Sequence, residues 1–510
     1  MTDARAACII GAAQLTLRPE DGDAPEPLAL WEEVARRAAA DTGVAADRVL
    51  AGLDSIDVLY CQTWPYDHPA GRLAEALGVM PARQRYSGIG GTTPHLLVDD
   101  AAAAIARGEM DLGLVVGAEA LDTVRRAKKE ERRLDWSHRD PQRKPFPFEA
   151  PFHPAEVAHE VFQAWLTFAV FDIARRAHLG VEPEEHRRHL GRLLAPMTEV
   201  AATNPHAWFP TRRSWEELIE PSPDNRMVGY PYTKYMVAVM DVDMAAGLLV
   251  ASEEKADALG IPPERRVYLR GSAYAEDATY VAEHDPMWSS PAMASASGLA
   301  LDGAGLGIDD VAHLDLYSCF GSSLSFACDA LGVAPDDGRG LTVTGGLPFA
   351  GGPGSGYMLH STAAMVDVLR ADPGSAGLVS GVGMHMTKHA FGVWSTQPPG
   401  GEAVARLGRG ATAPGATAAG AALPGPGRAV TPVPITDIWT GPATVAAYSV
   451  VHGRDGQPAW GLAVCDLPGG ARTYARVEDD GLLAEALKTE WVGAAIDIEA
   501  GDDKVNRVRS

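Results

Sequence analysis

Short apolar runs alternate with helical patterns along much of the chain. Residues 56–62 (IDVLYCQ) read as a strand, 94–108 (PHLLVDDAAAAIARG) as a helix, and 112–120 (LGLVVGAEA) as a strand apolar on both faces. The same grammar returns later, as a glycine-rich loop over 345–356, a helix over 357–371 and an apolar strand over 376–381. Strands spaced by helices predict an α/β architecture, and the repeated order predicts two related halves.

Between 121 and 225 the rhythm lapses into charged and proline-rich sequence with helical stretches, which predicts an inserted, mostly helical segment. Residues 401–430 are almost entirely Gly, Ala, Pro and small residues, the composition of a flexible linker. After it, ATVAAYSVV and AWGLAVCDL flank an Asp455-Gly456 turn, RTYARV follows Pro468-Gly469-Gly470, and a helix near 481–489 precedes WVGAAIDI. That order predicts a small, OB-like β-barrel. The expected organisation is therefore 1–120 with 226–262 as an N-terminal half, 121–225 as an insertion, 263–400 as a C-terminal half, 401–430 as a linker and 431–510 as an additional small β domain.

Composition narrows the function classes. A length of 510 residues exceeds one ordinary core. The formal net charge of −23 repels polyphosphate backbones, which argues against nucleic acid as a partner. Alanine-rich segments are broken by charge before they reach about 18 residues, so no membrane span is expected. The N-terminal MTDARAACIIGAAQ lacks the run of apolar residues of a secretory signal, which points to a cytoplasmic protein. Five scattered cysteines, Cys8, Cys61, Cys319, Cys328 and Cys465, fit reduced thiols better than a disulfide framework.

Five segments carry a specific resemblance. LDLYSCFGSSLSF (314–326), TVTGGLPFAGGPGSGY (342–357) and GLVSGVGMHMTKHAFG (377–392) resemble the three C-terminal active-site loops of thiolases. NRMVGYPYTKYM (225–236) and the stretch over 85–120 resemble other thiolase segments, in family order. Over roughly residues 1–400 the chain resembles the thiolase superfamily, as a type 1, acetyl-CoA acetyltransferase-like member with an added C-terminal domain. The resemblance implies a thiolase-like fold of two βαβαβαββ halves with a helical loop domain. It also implies coenzyme A or an acyl-CoA thioester as ligand, acyltransferase chemistry in lipid metabolism, and a homodimer or, if the added domain blocks that surface, a monomer.

The chemistry of the family is missing from its expected positions. A thiolase needs a cysteine at a helix N-terminus, where backbone N–H groups lower the thiol pKa and stabilise the thioester oxyanion. That position is Gly91 here. The activating histidine of the family falls on Gly352, its second cysteine on Gly381, and its third-loop Asn or His on Tyr317. Three glycines remove side chains and so are expected to enlarge the cavity, while the fourth change inserts a phenol.

Tyr317, His385, Cys319 and His360 remain as candidate catalytic groups on or beside these loops. Tyr317 has two readings: a satisfied core phenol, or a donor to an enolate oxygen that becomes a base if neighbouring cations depress its pKa. The resemblance to thiolase-like retro-aldolases, where tyrosines stand in for the usual residues, implies C–C bond chemistry without a covalent intermediate for the second, and the two readings stay equally open. Cys319 reads better as a small buried residue than as a nucleophile. His385 and His389 have the i, i+4 spacing of a helical zinc pair, but no third ligand is evident and no metal is expected. Gly91, Thr92, His95, Gly352 and Gly381 are candidates for lining the ligand site, with Thr92 also read as a helix N-cap. Arg125, Arg126 and Lys128 head a basic run suited to the phosphates of CoA, or equally to a solvated helix face.

Two functions fit these residues. One is an acyl-CoA-binding enzyme that transfers acyl groups or makes and breaks C–C bonds without a cysteine nucleophile. The other is a catalytically inactive CoA- or lipid-binding or scaffolding protein.

Overall fold

The structure is a computed structural model and describes residues 2–143, 152–408 and 431–509. Its strands in the first half of the chain are β1 (Ala7–Thr16), β2 (Ser55–Val58), β3 (Arg83–Tyr86), β4 (Leu112–Ala120), β5 (Met227–Gly229), β6 (Tyr232–Thr233), β7 (Asp243–Ser252) and β8 (Val267–Glu276). They are followed by β9 (His313–Asp315), β10 (Ala376–Gly383), β11 (Lys388–Ser395), β12 (Gly441–His452), β13 (Pro458–Asp466), β14 (Arg472–Val477), β15 (Ala495–Ala500) and β16 (Asn506–Val508).

Nine strands form one sheet in the order β3-β2-β4-β7-β1-β8-β11-β10-β9. The order is symmetric about the β1–β8 join: β7 and β11 flank it, then β4 and β10, then β2 and β9. β2 runs parallel to β4 and β9 parallel to β10, and each pair is preceded or crossed by one long buried helix, Thr93–Ala106 or Tyr357–Ala371. Register makes the repeat concrete. Asp57 lies opposite Val115 and Asp315 opposite Val379, so GLVVGAE (113–119) matches GLVSGVG (377–383). Both helices are apolar nearly all round because both are enclosed by sheet and neighbouring helix, and they pack on one another.

The insertion is helical, with Leu121–Lys129, Ala164–His178, Pro183–Thr203 and shorter turns. The expected linker begins instead as a helix, Gly401–Gly408, whose Val404 and Leu407 are buried against the body of the protein. Two apolar side chains at i and i+3 give it a face, which the small-residue composition concealed. The remainder of that segment, 409–430, lies outside the described residues.

In the C-terminal part, β12, β13, β14, β16 and β15 close into a small barrel through the β12–β13 pairing. β5 and β6 extend the sheet at β12, joining the barrel to the insertion. All five cysteines are free and buried. No helix among the described residues is long and apolar enough to cross a membrane.

Candidate active site

Three chain segments converge where the N-terminus of helix Thr93–Ala106 meets the ends of β9 and β10. A Cβ built on Gly91 would lie 2.1 Å from the Val382 carbonyl oxygen and 2.7 Å from Tyr317 Oη. No side chain fits there without moving backbone. Of the other two glycines, Gly381 has also been closed upon and Gly352 has not. A Cβ on Gly381 would meet Met358 Sδ at 2.1 Å, and one on Gly352 would meet the Val239 carbonyl at 3.3 Å and Leu347 Cδ2 at 3.4 Å. The expected enlargement of the cavity is therefore corrected at residues 91 and 381, where the space of the absent side chains is taken by Tyr317 and Met358.

Tyr317 is fixed in place by its surroundings. Its N–H donates to Ser380 Oγ at 2.9 Å, and its ring meets Tyr357 edge-on, with centroids 5.4 Å apart. The Tyr357 hydroxyl donates to Asp315 Oδ1 at 3.2 Å and lies 2.6 Å from Thr344 Oγ1. Asp315 is fully buried and accepts from Thr342 Oγ1, Val343 N, Thr344 N and Thr344 Oγ1 at 2.9–3.1 Å, which ties the glycine-rich loop to the end of β9. Among the described residues the Tyr317 hydroxyl makes no hydrogen bond. Burial raises its pKa, and the Cys319 sulfur beside it adds to the rise. The expectation of a base activated by cations fails, because no cation acts on this phenol; it stays a neutral donor.

The remaining candidates separate. Cys319 is buried, its Sγ 3.5 Å from Ser323 Oγ, and burial pushes the thiol up to about 12, so it is no nucleophile. His385 sits on the loop after β10 between Met384 (φ 57°) and Met386 (φ 59°). Two non-glycine residues in the left-handed region make this a strained turn. Its Nδ1 lies 2.8 Å from Thr167 Oγ1 and its ring 5.4 Å from Phe152, while burial and the nearby His284 lower its pKa to about 4. His389 is in β11 and bonds Ser290 and Asp277, so the helical zinc spacing read from sequence does not exist. Among the described residues no group of three or more His, Cys, Asp or Glu could hold a metal ion.

Thr92 occupies the N-cap position but its side chain accepts no capping hydrogen bond, correcting that reading; it is buried beside Gly383. His95 turns away from the loops, its Nε2 3.0 Å from Ser272 Oγ of β8. His360 faces a narrow crevice with no room for a water molecule, lined by Leu59, Glu119, Pro353 and Gly356 among others, with Nδ1 held 3.0 Å from Gln14 Oε1. Burial, with a smaller push from His206, lowers its pKa to about 3.

Sequence reasoning missed Glu119. Its carboxylate accepts from Gln62 N and Thr63 N at 2.9 Å and from Thr63 Oγ1, and burial raises it to about 7. Gly354 (φ 53°) lets the glycine-rich loop approach it, since a Cβ there would stand 2.7 Å from Glu119 Oε1. By register Glu119 is the counterpart of Gly383, and Leu59 of Tyr317. The signal was a lone charge at the end of an otherwise apolar strand.

The arginines at the head of the basic run are already paired. Arg125 pairs with Asp122 and Asp241, and Arg126 with Asp23, Asp122 and Asp243. An acidic protein has used these guanidiniums on its own carboxylates. Lys128 is exposed and without an ion pair among the described residues.

A monomeric SCP2-thiolase-like protein type 1 from Mycobacterium smegmatis is 32% identical with a TM-score of 0.82, and the match covers 100% of each chain. The chain belongs to the type 1 thiolase-like proteins. Consistent with this, residues 425–503 match the family described as the thiolase-like protein type 1 additional C-terminal domain. Acetyl-CoA acetyltransferase from Syntrophomonas wolfei is 15% identical with a TM-score of 0.55, covering 77% of this chain and 99% of its own. Human mitochondrial 3-ketoacyl-CoA thiolase, solved in complex with CoA, is 15% identical with a TM-score of 0.54, covering 78% of this chain and 100% of its own. These two show the thiolase fold. No curated protein matches the sequence.

Proposed function

We propose that this type 1 thiolase-like protein binds a coenzyme A thioester without forming an acyl-enzyme and without thiolase turnover. The observation that carries the reading is the Tyr317 hydroxyl, 2.7 Å from where the Cβ of a nucleophile at residue 91 would have to be. A site without the family's nucleophile or base, and with no room for a nucleophile at residue 91, supports binding over acyl transfer. The thioester comes from the fold's relatives, one of them solved with CoA. Calorimetric titration with acetyl-CoA, intact-mass measurement and a turnover panel of acyl-CoA esters test it together. Binding without adduct or turnover is expected. An acyl adduct, steady turnover, or no binding at all would each defeat the reading.

One observation favours a second reading, in which the protein catalyses C–C bond chemistry through Tyr317. The hydroxyl is neutral, unpartnered and close to the helix N-terminus, the placement of a donor to a developing oxyanion. Turnover that Tyr317→Phe abolishes would select this reading.

A further inference from the structure

Most arginines of this chain pair with carboxylates, and of the several that do not among the described residues, two lie beside aromatic rings of the N-terminal half. Among the described residues, Arg139 and Arg143 make no ion pair, although the chain carries 67 acidic residues against 44 basic ones. Both are instead laid on aromatic rings. The Arg139 guanidinium carbon is 5.4 Å from the Trp64 ring centroid, and that of Arg143 is 4.8 Å from the Tyr86 centroid. Trp64 is itself braced edge-on by Trp136 at 5.4 Å, and Tyr86 by Tyr60 at 5.8 Å. One Nη of Arg143 is buried with no partner among the described residues.

Backbone contacts hold the two arginines in one region. The segment carrying them runs along residues 64–67, with an Arg139–Tyr66 bridge, Asp67 N donating to His138 O at 3.0 Å, Asp140 N to Pro65 O at 2.7 Å, and Trp64 Nε1 to Ser137 O at 2.9 Å. The intervening Asp140 turns its carboxylate to the Gln142 N–H at 2.9 Å and forms no ion pair with either arginine. Tyr86 leads directly into the loop that ends at Gly91, and Tyr60 N donates to Ser87 Oγ of that loop at 2.9 Å. A guanidinium beside an aromatic ring keeps its N–H donors for an acceptor, which suits multi-oxygen anions.

We infer that Arg139 and Arg143 form a phosphate-binding site beside the Ser87–Gly91 loop, which takes the phosphorylated nucleotide end of the thioester ligand. The inference rests on the reading that a CoA thioester is the ligand. It replaces the Arg125–Lys128 run as the cationic partner.

Calorimetric titrations at low salt with acetyl-CoA, 3′-dephospho-CoA, adenosine 3′,5′-bisphosphate and inorganic phosphate test it, using the full chain and the variants R139Q/R143Q and R125Q/R126Q. The wild type should bind CoA about tenfold more tightly than dephospho-CoA, the size of one or two charge-assisted bonds. R139Q/R143Q should erase that difference, whereas R125Q/R126Q should keep it. Circular dichroism and the melting temperature confirm that each variant is folded. If acetyl-CoA binds but R139Q/R143Q matches the wild type for every ligand, the phosphate site is overturned and the thioester reading survives. If only the bisphosphate or free phosphate binds, dependent on both arginines, the site stands and the thioester reading fails. Absence of binding by all four probes overturns both.

Discussion

At residue 91, the Val382 carbonyl lies 2.1 Å from the position a Cβ would take, so Gly91→Cys must displace backbone as well as crowd the Tyr317 hydroxyl. Overpacking of this kind costs about 1–3 kcal/mol. A lowered melting temperature and no acyl adduct after acetyl-CoA are expected from thermal unfolding and intact mass. Adding Tyr317→Phe removes the hydroxyl but leaves the carbonyl, so the double variant should remain destabilised and unacylated. Tyr317→Phe alone deletes an oxygen that bonds nothing among the described residues and should change stability by less than about 0.5 kcal/mol. Tyr317→Ala empties the space of a buried ring and should cost about 3–5 kcal/mol. The four departures at Gly91, Gly352, Gly381 and Tyr317 were legible because each falls at a fixed place in a motif. What fills the vacated space was not legible. Tyr317 and Met358 reach it from other segments, and such packing is decided by tertiary structure, not by local pattern.

The loops and helices around the site carry imidazoles that folding keeps neutral. Burial lowers His95 on helix Thr93–Ala106, His284 ahead of helix Pro291–Ala304, and His385 after β10 to about 4, and His360 on helix Tyr357–Ala371 to about 3. Their ordinary value is 6.5, so the unfolded chain takes up protons first as pH falls. The stability they contribute is complete above about pH 6.5 and is lost progressively toward pH 4. Glu119 acts oppositely: raised from 4.5 to about 7, it favours the folded state as pH falls through that window. Other groups shifted by burial act in both directions, the lowered His159, His189, His206 and His452 with these imidazoles and the raised Glu156, Asp243, Asp315 and Asp367 with Glu119, and the four strongly lowered imidazoles set a net loss toward pH 5. Melting temperatures measured from pH 7.5 to 4.5 should fall steeply below 6.5; a flat profile would mean that these imidazoles are not buried as described. At this scale the sequence was most informative for long periodic elements. The helix over 357–371 and the strand over 112–120 have the predicted ends. The helix Gly401–Gly408 escaped because its composition is that of a linker, and only the burial of Val404 and Leu407 on the body makes it helical.

The barrel is joined to the body by polar contacts taken out of water, which makes it part of one structural unit. Arg176, fully buried on helix Ala164–His178, donates to the hydroxyls of Tyr230 and Tyr448 at 3.0 Å and pairs with Glu490 at 3.0 Å. Tyr448 lies on β12, so one guanidinium spans the insertion, the β5–β6 turn and the barrel. Around it, Tyr474 Oη donates to Glu156 Oε1 at 2.9 Å, Asn506 N donates to His159 Nε2 at 2.9 Å, and Arg472 on β14 donates to the carbonyls of Ala282 and His284. The last contact bears on the site, because the segment it holds supplies Asp277 and Ser290 to His389 at the base of the third loop. With the interface intact, barrel and body should melt in a single transition, since each would expose unpaired buried donors if it left first. Arg176→Ala leaves the Tyr230 hydroxyl unpaired, while Tyr448 keeps the carbonyls of Ala486 and Thr489 and Glu490 is exposed to water, so a loss of about 1–3 kcal/mol is expected. Calorimetry of this variant should show the barrel melting ahead of the body, with hydrogen exchange rising first at the amides of β12 and β13. If the variant instead retained one transition shifted as a whole, the barrel would be held by its apolar contacts, and the guanidinium would be only one bond among many.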